Sequence, residues 1–144
     1  MLKGVPTAIS PELMSVLMKM GHGDEIVLAD ANFPADSNAR RIVRADGHPL
    51  PVVLEAILKF FPMDTYVDHA AFVMAVTEKD APEPPVWSIY RRIINAAEGR
   101  DFPLRGIERF AFYERAKECY AVVATGETAL YGNLILKKGV VKPS

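Results

Sequence analysis

Apolar positions recur along the chain at the spacing of helices in some segments and in unbroken runs in others. Stripes at the helical spacing follow Ser10 and fill residues 50–61 and 86–97. The first helix is predicted to begin at Ser10, because a serine N-cap followed by Pro11 at the first helical position is a typical start. It is predicted to end at Gly21, in the left-handed conformation that glycine adopts after helices.

Short runs of continuous apolar residues, partly β-branched, predict the strands. In chain order they are EIVLADA, RIVRADG, AAFVMAVT, IERFAF, CYAVVATG and GNLILKKG. Strands that are apolar throughout are typical of a sheet covered on both faces. We therefore expect an α/β fold, a three-layer α/β/α single domain over residues 1–144 with a mostly parallel or mixed sheet of about six strands.

Charge and cysteine content narrow the classes of function. Lys and Arg number 17 against 18 Asp and Glu, a net charge of −1 that offers no basic surface to nucleic acid. The one cysteine, Cys119, cannot form an internal disulfide, which suits a reducing cytoplasm. The segment MLKGVPTAIS is too short and too broken by Gly and Pro to be expected as a signal peptide, and no apolar run approaches the ~18 residues of a membrane helix. We predict a cytoplasmic protein without nucleic-acid or membrane partners.

The segment MGHGDEIVLADANFPA contains the first two candidate residues for chemistry. His22 directly follows the first helix, where the helix dipole favours a protonated imidazole, and such a histidine can act as a general acid. A helix cap with a polar turn is the alternative. Asp30 ends a predicted strand, where ligands of open α/β sheets usually bind, and its carboxylate can accept hydrogen bonds from sugar hydroxyls. An ordinary loop cap is the alternative there.

The two candidates lie at opposite ends of one predicted strand. The four steps from Ile26 to Asp30 span roughly 13 Å, and His22 precedes them. A shared site therefore requires a bend in the segment, a ligand that spans the gap, or two subunits.

Two later segments carry groups that suit a polyol. In RFAFYER, Arg109 offers a fork of donors beside aromatic rings. In LYGNLILKKG, Tyr131, Gly132 and Asn133 precede an apolar strand and offer a hydroxyl and an amide. The alternative for RFAFYER is a core strand with solvated charges, and the alternative for LYGNLILKKG is a tight turn before a strand. The isolated histidines show no spacing typical of a metal site, so we expect no metal.

The order of these motifs resembles the ribose pyranase and fucose mutarotase family. The likeness runs from about Ile9 to Val140 and is carried by GHGDE, ADANFPA and YGN…LKKG, which both branches of the family share. RFAFYERA, the following TGE…YGN, and RADG resemble the fucose branch specifically. Residues 64–105 are less diagnostic.

The resemblance implies a cofactor-free isomerase that interconverts sugar anomers. It also implies ring-shaped homo-oligomers, often two stacked pentamers, with sites near the subunit contacts. By matching motifs, His22 corresponds to the acid/base histidine, and Tyr113 is a further candidate for sugar binding. The implied substrate-binding residues are Asp30, Arg109, Tyr131, Gly132 and Asn133.

We therefore predict an enzyme of monosaccharide metabolism that interconverts the alpha and beta anomers of L-fucose by acid/base-assisted ring opening and closure. One group protonates the ring oxygen while another removes the proton of the anomeric hydroxyl. D-ribose pyranase, or another isomerase of anomers or ring forms, is the alternative within the enzymes. A non-catalytic monosaccharide-binding protein is the alternative from another class.

Overall fold

The computed structural model describes residues 1–144, which form one six-stranded sheet and five helices. The strands are β1 (Glu25–Ala29), β2 (Ile42–Ala45), β3 (Ala71–Met74), β4 (Leu104–Ile107), β5 (Ala121–Thr125) and β6 (Leu134–Lys137). The helices are α1 (Pro11–Lys19), α2 (Ala35–Asn38), α3 (Leu50–Leu58), α4 (Pro85–Glu98) and α5 (Arg109–Glu118). No helix combines the length and the apolar character that crossing a membrane requires.

The sheet has the order β2-β5-β1-β6-β3-β4. β1 and β2 pair with β5 in parallel, and β3 pairs with β4 in parallel. β6 is antiparallel to both of its neighbours, β1 and β3. Five strands therefore run in one direction and β6 runs in the other, which confirms the predicted mixed α/β sheet of about six strands.

Both faces of the sheet are covered, as the continuous apolar strands predict. Along β1, Ile26 and Leu28 belong to the core shared with α1, α3 and α4. Val27 and Ala29 belong to a second core, on the side of α2 and α5. Because successive side chains of a strand point to opposite faces, a strand between two layers of helices must be apolar at every position. The predicted three-layer arrangement is confirmed.

The first helix begins as predicted and ends differently. Ser10 is the N-cap, and its hydroxyl accepts a hydrogen bond from the backbone N–H of Leu13 at 3.1 Å. The prediction of a left-handed Gly21 is wrong, because the positive φ belongs to Gly23. The ammonium of Lys138 instead bonds carbonyls at the end of α1, including that of Met20, and so satisfies groups that a glycine cap would otherwise serve.

The prediction of a strand over IERFAF is also wrong. The strand β4 ends at Ile107, and α5 begins at Arg109. The carboxylate of Glu108 accepts hydrogen bonds from the backbone N–H groups of Phe110 and Ala111, at 3.0 and 2.9 Å. This cap satisfies two of the free donors at a helix start, and it outweighs the strand preference of the aromatic residues.

Candidate active site

The sheet topology gathers the candidate binding residues at one edge. The carboxyl ends of the five parallel strands meet there, and the start of antiparallel β6 lies at the same edge. Asp30 follows β1, Thr77 comes shortly after β3, and Arg109 follows β4. Tyr131 and Asn133 immediately precede β6. Segments far apart in sequence therefore converge where ligands of α/β sheets commonly bind.

These residues line an open cleft of about 290 Å³. Its polar wall is formed by Asp30, Asn32, Thr77, Arg109, Tyr113, Tyr131 and Asn133. Its apolar wall is formed by Phe33, Met74 and Leu130. All the substrate-binding side chains predicted from the sequence are thus brought together, along with Tyr113.

Asp30 is the most deeply placed charged group of the cleft, with 7% of its surface exposed. Its two carboxylate oxygens accept hydrogen bonds from the backbone N–H groups of Asn32, at 3.0 Å, and Gly132, at 3.3 Å. Its own backbone N–H donates to Oδ1 of Asn133 at 2.7 Å, which leaves the Asn133 Nδ2 group to serve a ligand. Burial raises the pKa of Asp30 despite the opposing effect of these backbone donors.

Gly132 contributes its backbone, because there is no room for a side chain. A Cβ atom would lie 2.8 Å from the carbonyl oxygen of Ala129 and 3.3 Å from Cβ of Asp30. Gly132 lies in the segment between β5 and β6. The buried carboxylate of Glu127 stabilises this segment by accepting hydrogen bonds from the backbone N–H groups of Ala129 and Leu50. A glycine here permits the close approach that puts its N–H against Asp30.

Arg109 and Tyr113 lie one turn apart on α5. The Arg109 Nε–H donates to the Tyr113 hydroxyl at 3.1 Å. This hydrogen bond raises the pKa of Arg109 above its ordinary value, so the guanidinium stays charged. Its remaining N–H groups make no hydrogen bond within the chain and can meet a ligand. Phe33 packs edge-on against the Tyr113 ring, with centroids 5.6 Å apart, and completes this side of the cleft.

His22 lies at the opposite edge of the sheet, before β1. Strand β1 pairs in register with β5 and β6, so the chain runs straight from Glu25 to Asp30. Those five steps span roughly 16 Å. Of the three ways to a shared site, a bend within this segment is excluded, and His22 does not reach the cleft of its own chain.

The imidazole of His22 is held by a carboxylate that the sequence did not indicate. Its Nε2 lies 3.1 Å from Oδ1 of Asp64, whose side chain is 3% exposed, whereas that of His22 is 45% exposed. The Tyr66 ring packs beside the imidazole at 5.2 Å, and the Tyr66 backbone N–H also donates to Asp64. Because Asp64 takes Nε2, Nδ1 is the nitrogen left for a ligand.

Asp64 precedes β3 and lies 42 residues from His22, with no local motif that could have revealed the pair. No three His, Cys, Asp or Glu side chains converge closely enough to hold a metal ion.

An α/β fold with a polar cleft at the carboxyl edge of its sheet is typical of proteins that bind a small polar molecule. Comparison with known families makes this more specific, because residues 3–141 match the RbsD / FucU transport protein family. The chain belongs to this family.

Two relatives and one solved structure illustrate the likeness. A protein from Bos taurus named fucose mutarotase is 57% identical over 99% of this chain and 95% of its own length. An L-fucose mutarotase from Haemophilus influenzae is 51% identical over 97% of each chain. The crystal structure of the fucose mutarotase from Streptococcus pneumoniae in complex with L-fucose is 49% identical, covers 98% of this chain and all of that one, and has a TM-score of 0.92.

Proposed function

We propose that this protein is an isomerase that interconverts the alpha and beta anomers of L-fucose. The observation that carries the proposal is the convergence of Asp30, Arg109, Tyr131 and Asn133 on one small cleft. The names of relatives that match nearly the whole chain support the choice of reaction and sugar.

The cleft has the donors and acceptors that a monosaccharide requires. The Asp30 carboxylate accepts hydrogen bonds from hydroxyls, and the free N–H groups of Arg109 and Asn133 donate to them. The Tyr131 hydroxyl can do either. We assign sugar binding to these side chains, with the Gly132 backbone holding Asp30 in place.

His22 acts as the acid/base group in this proposal. Breaking the bond between the anomeric carbon and the ring oxygen gives the open aldehyde. This step transfers a proton to the ring oxygen and removes one from the anomeric hydroxyl, and closure on the other face of the carbonyl reverses both transfers. Nδ1 of His22 exchanges a proton with the sugar, while Asp64 holds Nε2 and orients the ring.

A neighbouring subunit supplies His22 to the cleft. The amino edge of one sheet, with His22, then meets the carboxyl edge of the next, with Asp30. A contact between two different surfaces of the same chain is heterologous, and such contacts close into rings when the rotation permits. This requirement supports the ring-shaped homo-oligomer, a decamer in its stacked form, that the family resemblance implies.

The apolar wall favours L-fucose over sugars with a hydroxymethyl group. Met74, Leu130 and Phe33 line the cleft beside the polar residues. A deoxy-sugar methyl group gains by burial against such a wall, whereas a hydroxyl there would lose its hydrogen bonds to water. D-ribose remains the runner-up among substrates, and action in the cytoplasm stays a prediction from the single cysteine.

Anomer exchange measured by saturation-transfer NMR tests the proposal. The wild type should accelerate exchange of L-fucose more than that of D-ribose, D-galactose or L-rhamnose. His22→Ala should lose about 10²- to 10⁴-fold of the rate, the usual contribution of a positioned proton-transfer group. His48→Ala, with a side chain that makes no hydrogen bond, is the matched control and should keep the wild-type rate.

A non-catalytic monosaccharide-binding protein is the second candidate, because the cleft of one chain binds hydroxyls without any help from His22. Calorimetric titration with L-fucose detects binding in both cases. Binding of L-fucose without accelerated anomer exchange would favour this second candidate. Separately, a wild-type exchange rate in His22→Ala would exclude the acid/base role of His22.

A further inference from the structure

Tyr131 adopts a backbone conformation that a tyrosine rarely takes. Its φ is +55°, in the left-handed region where the Cβ atom crowds the backbone. Such a conformation persists only when surrounding contacts hold it, and it is common at functional sites. The contacts that hold Tyr131 therefore bear on the geometry of the cleft.

Two side chains of α4 bind consecutive carbonyl groups of this segment. Nε1–H of Trp87 donates to the carbonyl oxygen of Tyr131 at 2.9 Å, and the hydroxyl of Tyr90 donates to that of Gly132 at 2.7 Å. Positions three residues apart lie on the same face of a helix, so both donors face the segment. Tyr90 is fully buried, and burial raises the pKa of its phenol, so it remains a donor.

The peptide between Tyr131 and Gly132 is fixed at both ends. In a trans peptide the C=O and N–H groups point in opposite directions. Here the C=O accepts from Trp87, and the N–H donates to the Asp30 carboxylate at 3.3 Å. Meanwhile the Tyr131 hydroxyl lies 3.0 Å from Oγ1 of Thr77 at the wall of the cleft.

We propose that Trp87 and Tyr90 are positioning residues for this sugar cleft: together they clamp the Tyr131 and Gly132 carbonyls, which holds the Tyr131 hydroxyl in register with the Asp30 carboxylate for the substrate. The inference rests on the proposed function, because it assigns a purpose to two residues that do not line the cleft themselves. It predicts that the clamp acts on substrate through Tyr131.

A double-mutant cycle tests the clamp. Trp87→Phe removes the indole N–H and keeps an aromatic ring, and it should weaken L-fucose binding about fivefold to tenfold, the effect of losing one hydrogen bond. In a Tyr131→Phe background, which lacks the hydroxyl, the same change should cost less than about twofold. A loss that comes only from general destabilisation would be equal in both backgrounds, and that result would overturn the proposal.

Controls and a structural readout separate this inference from the proposed function. Ser88→Ala, on the exposed side of α4, should leave L-fucose binding unchanged. Trp87 is the only tryptophan, so its fluorescence should report L-fucose binding in the wild type and in Tyr90→Phe.

A crystal structure of Trp87→Phe/Tyr90→Phe should show Tyr131 at negative φ with its hydroxyl away from Thr77. A retained left-handed Tyr131 would overturn the clamp, even if no sugar showed accelerated exchange.

Discussion

Two opposing influences act on the Asp30 carboxylate. Burial disfavours its charged form, while backbone N–H groups of Asn32, Gly132 and Phe33 favour it. Burial is the larger effect, so the pKa of Asp30 is raised in the folded protein. A buried carboxylate is a good acceptor for a ligand hydroxyl because water competes little for it. Keeping that carboxylate ionised at neutral pH, however, lowers the free energy of unfolding.

The raised pKa predicts a pH dependence of stability. The folded protein binds a proton at Asp30 more tightly than the unfolded chain does, so protonation stabilises the fold and this gain is lost as pH rises through the folded pKa. Compared with Asp30→Asn, which cannot titrate, the wild type should gain unfolding free energy as the pH falls from about 7 to about 4. Urea unfolding at several pH values measures this difference.

Asp68→Asn serves as the control for that experiment, since Asp68 is exposed and makes no hydrogen bond. If the wild type instead lost unfolding free energy relative to Asp30→Asn over the same pH range, the pKa of Asp30 would be lowered, and the interpretation of its environment would be wrong.

Residues next to strand ends could be predicted, and residues that act across the fold could not. Asp30, Tyr131 and Asn133 each adjoin an apolar strand, so the sequence places them at strand ends, and the antiparallel direction of β6 then brings them to one edge. Asp64 and Trp87 make their contacts with groups more than forty residues away. Their roles depend on packing that no local pattern in the sequence expresses.

At the scale of elements, α5 is anchored to the sheet by one bidentate ion pair. The Arg115 guanidinium donates to both carboxylate oxygens of Glu25, at 2.9 and 2.6 Å, and stacks over the Phe72 ring at 3.8 Å. Arg109, at the start of the same helix, lines the cleft. The position of a proposed binding residue thus depends on a contact at the other end of its helix.

Arg115→Lys should therefore destabilise the protein. A lysine keeps the charge but loses the planar fork and the stacking on Phe72, and we expect a loss of about 1 kcal/mol in the free energy of unfolding. Lys117→Ala, which removes an exposed ion pair with Glu114 on the same helix, is the matched control and should change stability by less than about 0.5 kcal/mol. Chemical unfolding measures both, and equal effects of the two variants would contradict the anchoring role.

The boundaries of the helices were the hardest features to predict from the sequence, for two different reasons. The end of α1 is set by Lys138, which lies far away in sequence, so a glycine rule applied locally misplaces the left-handed residue. The start of α5 is set by Glu108, only two residues before Phe110, and recognising this cap would have corrected the predicted strand. The end of α1 can be predicted correctly only with the tertiary structure, whereas the start of α5 can be predicted from the local sequence.

At the scale of the whole molecule, the insertion of β6 decides where the cleft forms. Alternating helices and apolar strands predict a layered sheet, but their order does not say that the last strand enters between β1 and β3 in the opposite direction. That insertion brings Tyr131 and Asn133 beside Asp30. His22 and Asp64 lie at the opposite edge, so in the proposed function each subunit carries the two halves of a site on opposite surfaces.

Mixing of variant subunits tests whether His22 and Asp30 of one site come from neighbouring chains. Co-expression of the His22→Ala and Asp30→Ala chains should restore L-fucose exchange, because about one quarter of the contacts in a randomly mixed ring join an intact Asp30 cleft to an intact His22. Asp30→Ala co-expressed with Arg109→Ala is the control and should stay inactive, since both changes damage the same cleft. We expect roughly a quarter of the wild-type rate in the first mixture, and a mixture no faster than either variant alone would show that one chain supplies both His22 and Asp30 to its own cleft or that His22 has no part in exchange.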